Sequence, residues 1–263
     1  MTLSRYNVSA HAGKPYTSII HVMWATSEIP SRWKRSASSW PDKHPDFVYC
    51  VWNDTELEAF VADEYPWLLS TYLAYPYVIQ RCDVARYLLL YHYGGTYVDL
   101  DVLCRIPMPV IFARTPVNAG VIVAATTPIG ISQEFIAVRR PRDPVMRGII
   151  AGLRRAAASR WYPPLPYTAV MYRTGPVYFT RLINCYGAEG RAFIISASQY
   201  DRYVDHVGGA SWHSWDGRII WKLYQRVERL YDHTVLIAVL SVALVLFIVI
   251  IRYRCCFRRL PKS

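Results

Sequence analysis

Apolar and polar positions along this chain follow two rhythms, a two-residue alternation that marks strands and a spacing of three to four that marks helices. From Tyr16, YTSIIHVMWAT holds a compact β-branched apolar run suited to a buried first strand. SEIPSRWKRSASSWPDKHP mixes helix formers with turn residues, and DFVYCVWND from Asp46 reads as a second strand ending in a turn. Strand, helix, strand is the opening of a parallel sheet. Residues 55–75 read as helical with an interruption at Pro66. In YVIQRCDVARYLLLYHYGG the spacing predicts a helix with Val78, Cys82, Ala85, Leu89 and Leu90 on an apolar face, Arg81 and Asp83 elsewhere, and Gly94 and Gly95 as terminators. TYVDLDVLC resumes a strand pattern, NAGVIVAA from Asn118 is another strand, and residues 144–160 form a long helical patch. RTGPVYFTRLI is a turn leading into a helix, and the glycine-rich, aromatic HVGGASWHSWDG reads as a loop that closes over something. The pattern is α/β, with one soluble domain over residues 1–230.

Past that domain, TVLIAVLSVALVLFIVII runs from Thr234 to Ile251 without a charge, and at about 1.5 Å of rise per residue it is long enough to cross a bilayer. It predicts a single transmembrane helix near the C-terminus, followed by a basic tail over 252–263 in which Cys255 and Cys256 are candidate acylation sites. The first twenty residues carry no apolar signal core, so the expectation is an anchor at the tail. Basic residues flank the apolar stretch on both sides, which leaves its orientation open. Sequons at Asn7 and Asn53 matter only for a lumenal domain.

Composition adds less. With 53% hydrophobic residues the chain can bury a real core, and the net charge of +11 suits anionic or phosphate-bearing partners, part of it being the basic tail. No helix-turn-helix, zinc-finger spacing or RNA-binding strand is visible, which argues against nucleic acid. The six cysteines include no CxxC pair and indicate neither a zinc site nor a disulfide scaffold.

Chemistry concentrates in GGTYVDLD. Asp99 and Asp101, one residue apart at the end of an extended segment, point the same way because side chains alternate faces with period two, and a hard cation such as Mg²⁺ or Mn²⁺ could sit between them. Such an ion keeps open positions that a substrate diphosphate completes. Read alone, Asp83 and Arg86 at i, i+3 are an exposed helix ion pair, Trp24 is equally a core ring, and His213 is a hydrogen-bonded surface histidine.

QRCDVARYLLLYHYGGTYVDLDVL resembles the signature of the DXD-containing sugar transferases that include the initiation-specific α-1,6-mannosyltransferase and the catalytic subunits of mannosyl-inositolphosphoceramide synthase. The residues that carry it are Asp83, Arg86, Tyr87, Gly94, Gly95, Asp99 and Asp101, and IIHVMWATSEIPSRW, RTGP and GGASWHSWD extend it over most of residues 16–216. The resemblance implies a GT-A-like, Rossmann-like fold, a nucleotide-sugar donor such as GDP-mannose, retention of anomeric configuration, and Golgi placement. It implies metal and diphosphate binding by Asp99 and Asp101 with His213 as a further ligand, and sugar binding by Asp83 and Arg86. It further implies a ring of Trp24 on the base, closure by Ser211 and Trp212, and donor contacts from Tyr87 and Gly95; Asn118 and His206 are further candidate pocket residues. Partners on this reading are the donor, a lipid or glycan acceptor such as inositolphosphoceramide, the membrane, and a regulatory subunit. The competing readings are a galactosyl- or glucosyltransferase building a protein-linked glycan, a non-catalytic nucleotide-sugar binder, and a metal-dependent phosphohydrolase.

Overall fold

The computed structural model describes residues 15–126, 130–159 and 165–208, together with Lys222 and Arg226. The chain divides into two units, 1–212 and 213–263, and every element below belongs to the first. The apolar stretch 234–251, the basic tail, Asn7, Ser211, Trp212 and His213 lie outside the described residues. Among the described residues no helix is long and apolar enough to cross a membrane.

The first strand, β1 (Ile19–Met23), is buried along its whole length and pairs in parallel with β2 (Val48–Trp52), as the opening strand-helix-strand pattern predicts. Between them lies α1 (Lys34–Lys43). After β2 come α2 (Asp54–Glu64) and α3 (Pro66–Leu73), split at Pro66 as expected. Asn53, one of the sequons, is the N-cap of α2: its Oδ1 accepts from the Glu56 amide at 2.9 Å, and Glu56 accepts from the Asn53 amide at 3.0 Å.

Helix α4 (Val78–Tyr93) stops at Gly94, whose φ of 67° no side chain favours, and the chain turns directly into β3 (Gly95–Val98). The expected one-sided apolar face does not hold. Val78 is 53% exposed, whereas Asp83 and everything from there to Leu90 is buried, because α4 is enclosed by the sheet and by helices on its other sides. At Gly95, with φ of 89°, a Cβ would lie 2.6 Å from the Ile19 carbonyl oxygen, so glycine is what lets β3 approach β1.

TYVDLDVLC is not one strand. β3 ends at Val98, residues 99–101 turn, and β4 (Val102–Cys104) pairs antiparallel with β8 (Val204–His206) in a separate two-stranded sheet. After α5 (Met108–Ala113) and β5 (Val121–Ala125) comes β6 (Ile131–Val138), which runs antiparallel to both β3 and β5. The main sheet is therefore mixed rather than parallel, in the order β2-β1-β3-β6-β5-β7, with β7 (Ala192–Ile195) at the far edge.

The helical patch at 144–160 is two helices, α6 (Pro144–Ala151) and α7 (Leu153–Ala158). At the break, Gly152 sits under the Tyr178 hydroxyl, which donates to the Ile149 carbonyl at 2.5 Å. Helix α8 (Pro166–Arg173) leads through the RTGP turn into α9 (Pro176–Ala188), and α10 (Ala197–Tyr200) precedes β8. Two cores cover the two sheet faces. α4, α6 and α9 bury one around Leu88, Val123 and Phe179, and α1, α5 and Tyr200 bury the other around Trp40, Val98 and Phe135.

Candidate active site

Strands β1, β2 and β3 are parallel, so their carboxyl ends share one sheet edge, and ligands of open α/β sheets bind at that edge. Trp24 follows β1 there, half-buried beside the second core, and Asp99 follows β3. The two aspartates occupy a turn closed by the Val102 amide donating to the Asp99 carbonyl at 3.1 Å. The turn, and not strand alternation, brings them together.

A buried lattice of side chains supports that turn. Arg86 reaches across from α4: one Nη donates to the Gln133 carbonyl at 2.8 Å, the other lies 3.3 Å from Asp83, and Asp99 stands 3.7 Å away. The guanidinium carbon sits 4.6 Å from the centre of the Tyr97 ring, and the Tyr97 hydroxyl donates to Asp99 at 2.5 Å. Asp83 and Arg86 are only 2% and 4% exposed, which removes the reading of an exposed surface pair. Burial pushes the Asp83 carboxyl up to about 6, against the pull of Arg86 and of the Thr174 hydroxyl that donates to it at 2.9 Å. Burial also opposes the Arg86 charge, but Tyr97, Asp99 and Asp83 around it hold its pKa above the ordinary value.

Other implied positions fall differently. Tyr87 has no exposed surface; its hydroxyl donates to the Thr174 carbonyl at 2.7 Å and its ring stacks on Phe179, so it braces the wall and does not face a donor. Gly95 is buried at the start of β3, the end of the strand away from Asp99. Asn118 is at that far end too. Val138 pairs with both Gly95 and Val121, so the start of β5 is level with Gly95, and Asn118 donates to the Gly190 carbonyl at 3.1 Å. β5 runs in the same direction as β3, both being antiparallel to β6, so a residue that precedes β5 stands at the end of the sheet away from the acidic turn.

The structure adds residues that pattern reading missed. Glu134 lies opposite Asp99 on β6, its carbonyl accepting from the Asp99 amide at 2.9 Å. Its carboxylate is 3.6 Å from His206 Nε2. Burial, with Asp99 and Asp101 adding to it and His206 opposing, pushes the Glu134 carboxyl up to about 7. Asp101 is raised by burial and then by Asp99. Thr174 stood inside RTGP, which was legible only as a turn. Val207 donates to the Asp101 carbonyl at 2.9 Å, so the chain leaves β8 at the acidic turn.

Among the described residues, no three histidine, cysteine, aspartate or glutamate side chains form a complete metal site. Asp99 and Asp101 still suit a hard divalent cation: they are oxygen donors, neither is fully buried, and they leave positions for substrate oxygens.

The family described as "Glycosyltransferase sugar-binding region containing DXD motif" matches residues 30–118, a span that ends past the Asp99–Asp101 turn. "Inositol phosphoceramide mannosyltransferase 1" of Schizosaccharomyces pombe is 30% identical over 99% of this chain and 82% of its own length. This chain belongs to the DXD-containing glycosyltransferases. "Inositol phosphoceramide mannosyltransferase 2" of the same organism is 36% identical, over 84% of this chain and 65% of that protein. "Mannosyl phosphorylinositol ceramide synthase CSH1" of Saccharomyces cerevisiae is 30% identical over 77% of this chain and 54% of that protein. The chain thus spans little more than half to two thirds of the length of several such relatives. The solved structure of the UDP-bound glycosyltransferase domain from the YGT toxin superposes with a TM-score of 0.50 at 10% identity, covering 77% of this chain and 83% of that one. That likeness establishes the GT-A-like glycosyltransferase fold with its mixed central sheet.

Proposed function

We propose that this protein is a membrane-anchored, metal-dependent, retaining mannosyltransferase that moves mannose from GDP-mannose onto inositol phosphoceramide. The observation that carries the reading is the match of a named inositol phosphoceramide mannosyltransferase along 99% of the chain. Anchoring by residues 234–251 keeps the domain at the surface where a lipid acceptor lies, raising effective concentration without new contacts.

In this mechanism Asp99 and Asp101 hold Mn²⁺ or Mg²⁺, which when bound neutralises the diphosphate of the donor. Arg86 supplies fixed positive charge from within the protein. It is locked by Asp83, the Gln133 carbonyl and the Tyr97 ring, so it needs no reorganisation as negative charge builds on the leaving diphosphate. Asp83 orients Arg86 and is itself fixed by Thr174. Trp24 offers a ring to the base.

The test uses the full chain in detergent with Mn²⁺, inositol phosphoceramide and a panel of nucleotide sugars, beside Asp101→Asn. GDP release and mannosylated lipid, both lost in the variant and on chelation, are expected. Transfer from UDP-galactose or UDP-glucose instead supports the competing hexosyltransferase reading, and no release from any donor by folded protein supports a non-catalytic binder.

A further inference from the structure

Between α2, α3 and the first turns of α4 runs a groove of about 440 Å³ that the donor reading leaves unused. Asp54, Glu58 and Arg81 make its polar wall, and Ala62, Leu69 and Val78 its apolar wall. β2 runs parallel to β1 and ends at the sheet edge that carries the acidic turn, and Asp54 opens α2 just after it. α4 starts from that edge too, since its far end leads through Gly94 into the start of β3. Leu73 and Val78, 46% and 53% exposed, form an apolar lip there, while Ala62 lies about 12 Å along α2 from Asp54 and carries the apolar wall away from the site. From Tyr65 to Gln80, across α3 and into α4, the chain carries no charge.

The groove and the arginine wall share α4. Cys82 lines the groove, and its carbonyl accepts from Arg86 Nε at 3.4 Å. Arg81, one residue before it, has a buried Nε without a hydrogen-bond partner among the described residues, although Asp54 and Glu58 line the same groove. A buried donor left unpaired is costly, and an anionic oxygen is the partner a guanidinium binds best. Carboxylates such as Asp54 and Glu58 accept from hydroxyls. A phosphate, a polyol and an apolar chain in one molecule match this lining, whereas a soluble sugar leaves the apolar lip and wall unused.

We propose that this groove seats the acceptor, a lipid with a phosphorylated polyol head. This rests on the glycosyl-transfer reading and gives the second substrate its place. The chain of the lipid enters over Leu73 and Val78 and lies along Leu69 and Ala62. Arg81 takes an oxygen of the phosphate, and Asp54 and Glu58 accept from hydroxyls of the polyol. The head is thereby held at the sheet edge where Arg86 and the acidic turn stand.

The test uses the full chain with Mn²⁺ in mixed micelles of inositol phosphoceramide, varying GDP-mannose and the lipid separately. Ala59 is an exposed groove residue of α2. Ala59→Trp, which fills the groove, is expected to raise the acceptor KM at least about tenfold while the donor KM, and GDP release to water without acceptor, stay within about twofold. Arg81→Gln is expected to raise the acceptor KM by about tenfold, the loss of one charged hydrogen bond, again with the donor KM unchanged. An acceptor KM that stays within about twofold in both variants overturns the proposal, as does a donor KM that rises as much as the acceptor KM. A second measurement needs no turnover: inositol phosphoceramide with a photoactivatable diazirine on its acyl chain should label α2 and α3 in the wild type, and Ala59→Trp should lose that label. Label confined to other segments overturns the groove, and if Ala59→Trp does not fold, Arg81→Gln and the wild-type label decide it. A chain labelled in α2 and α3 that transfers no sugar from any donor overturns the glycosyl-transfer reading and leaves the groove as a lipid site. Transfer to the lipid with the label elsewhere overturns the groove alone.

Discussion

Arg86 shows how one side chain serves both fold and chemistry. Its ion pair with Asp83 is nearly out of solvent, and removing one partner of such a pair leaves an uncompensated buried charge. Arg86→Met should therefore cost about 3–5 kcal/mol in urea unfolding, with Arg86→Met/Asp83→Asn recovering a large part of the loss without recovering activity. His21 makes the opposite case of a buried group held neutral. Trp52 Nε1 donates to its Nδ1 at 3.2 Å, which leaves Nε2 as the donor to the Gly94 carbonyl at 3.0 Å. Burial pushes its pKa down to about 4, so between there and the ordinary 6.5 the unfolded chain binds a proton that the folded protein refuses. The stabilising contribution is whole above pH 6.5 and drains away as pH falls toward 4. Urea unfolding at pH 7.5 and 4.5 should show a fall of about 2–3 kcal/mol that His21→Gln lacks.

At the scale of elements, the junction from α4 to β3 is a close approach of backbone to backbone. Gly95→Ala should destabilise by at least about 2 kcal/mol because a Cβ collides with the Ile19 backbone at positive φ. Gly208→Ala, at φ of 86° with nothing within 4 Å, should cost no more than about 1 kcal/mol in the same assay. The elements that the sequence revealed, β1, β2 and α4, are compact apolar runs closed by turn or glycine signals, which mark an element even where no periodic face survives. β6 escaped because Ser132, Gln133 and Glu134 interrupt its apolar run. Gln133 is polar because its side chain donates to the buried Tyr87 hydroxyl and Thr174 carbonyl, and local rules fail most often where a buried network needs a polar group. β8 escaped because three residues carry no period. The acidic pair and Arg86 were legible as a spaced motif, whereas Glu134 belongs to the site only through pairing with a strand far away in sequence.

At the scale of the whole molecule, the proposed function gives the uncharged stretch 234–251 the task of holding the domain at a membrane. The full chain should sediment with membranes and resist extraction at high pH, and removal of residues 234–263 should release it while leaving GDP-mannose turnover on detergent-solubilised acceptor within about threefold. Retention of the shortened chain on membranes would assign anchoring to the domain itself.

The small β4–β8 sheet carries a consequence for biosynthesis. It joins segments 100 residues apart and ties Val207 to the carbonyl of Asp101. During synthesis the acidic turn emerges early, yet the strand that completes it emerges late, after every strand of the main sheet. The nascent protein therefore acquires the architecture of its main sheet before the partner that pins its acidic turn.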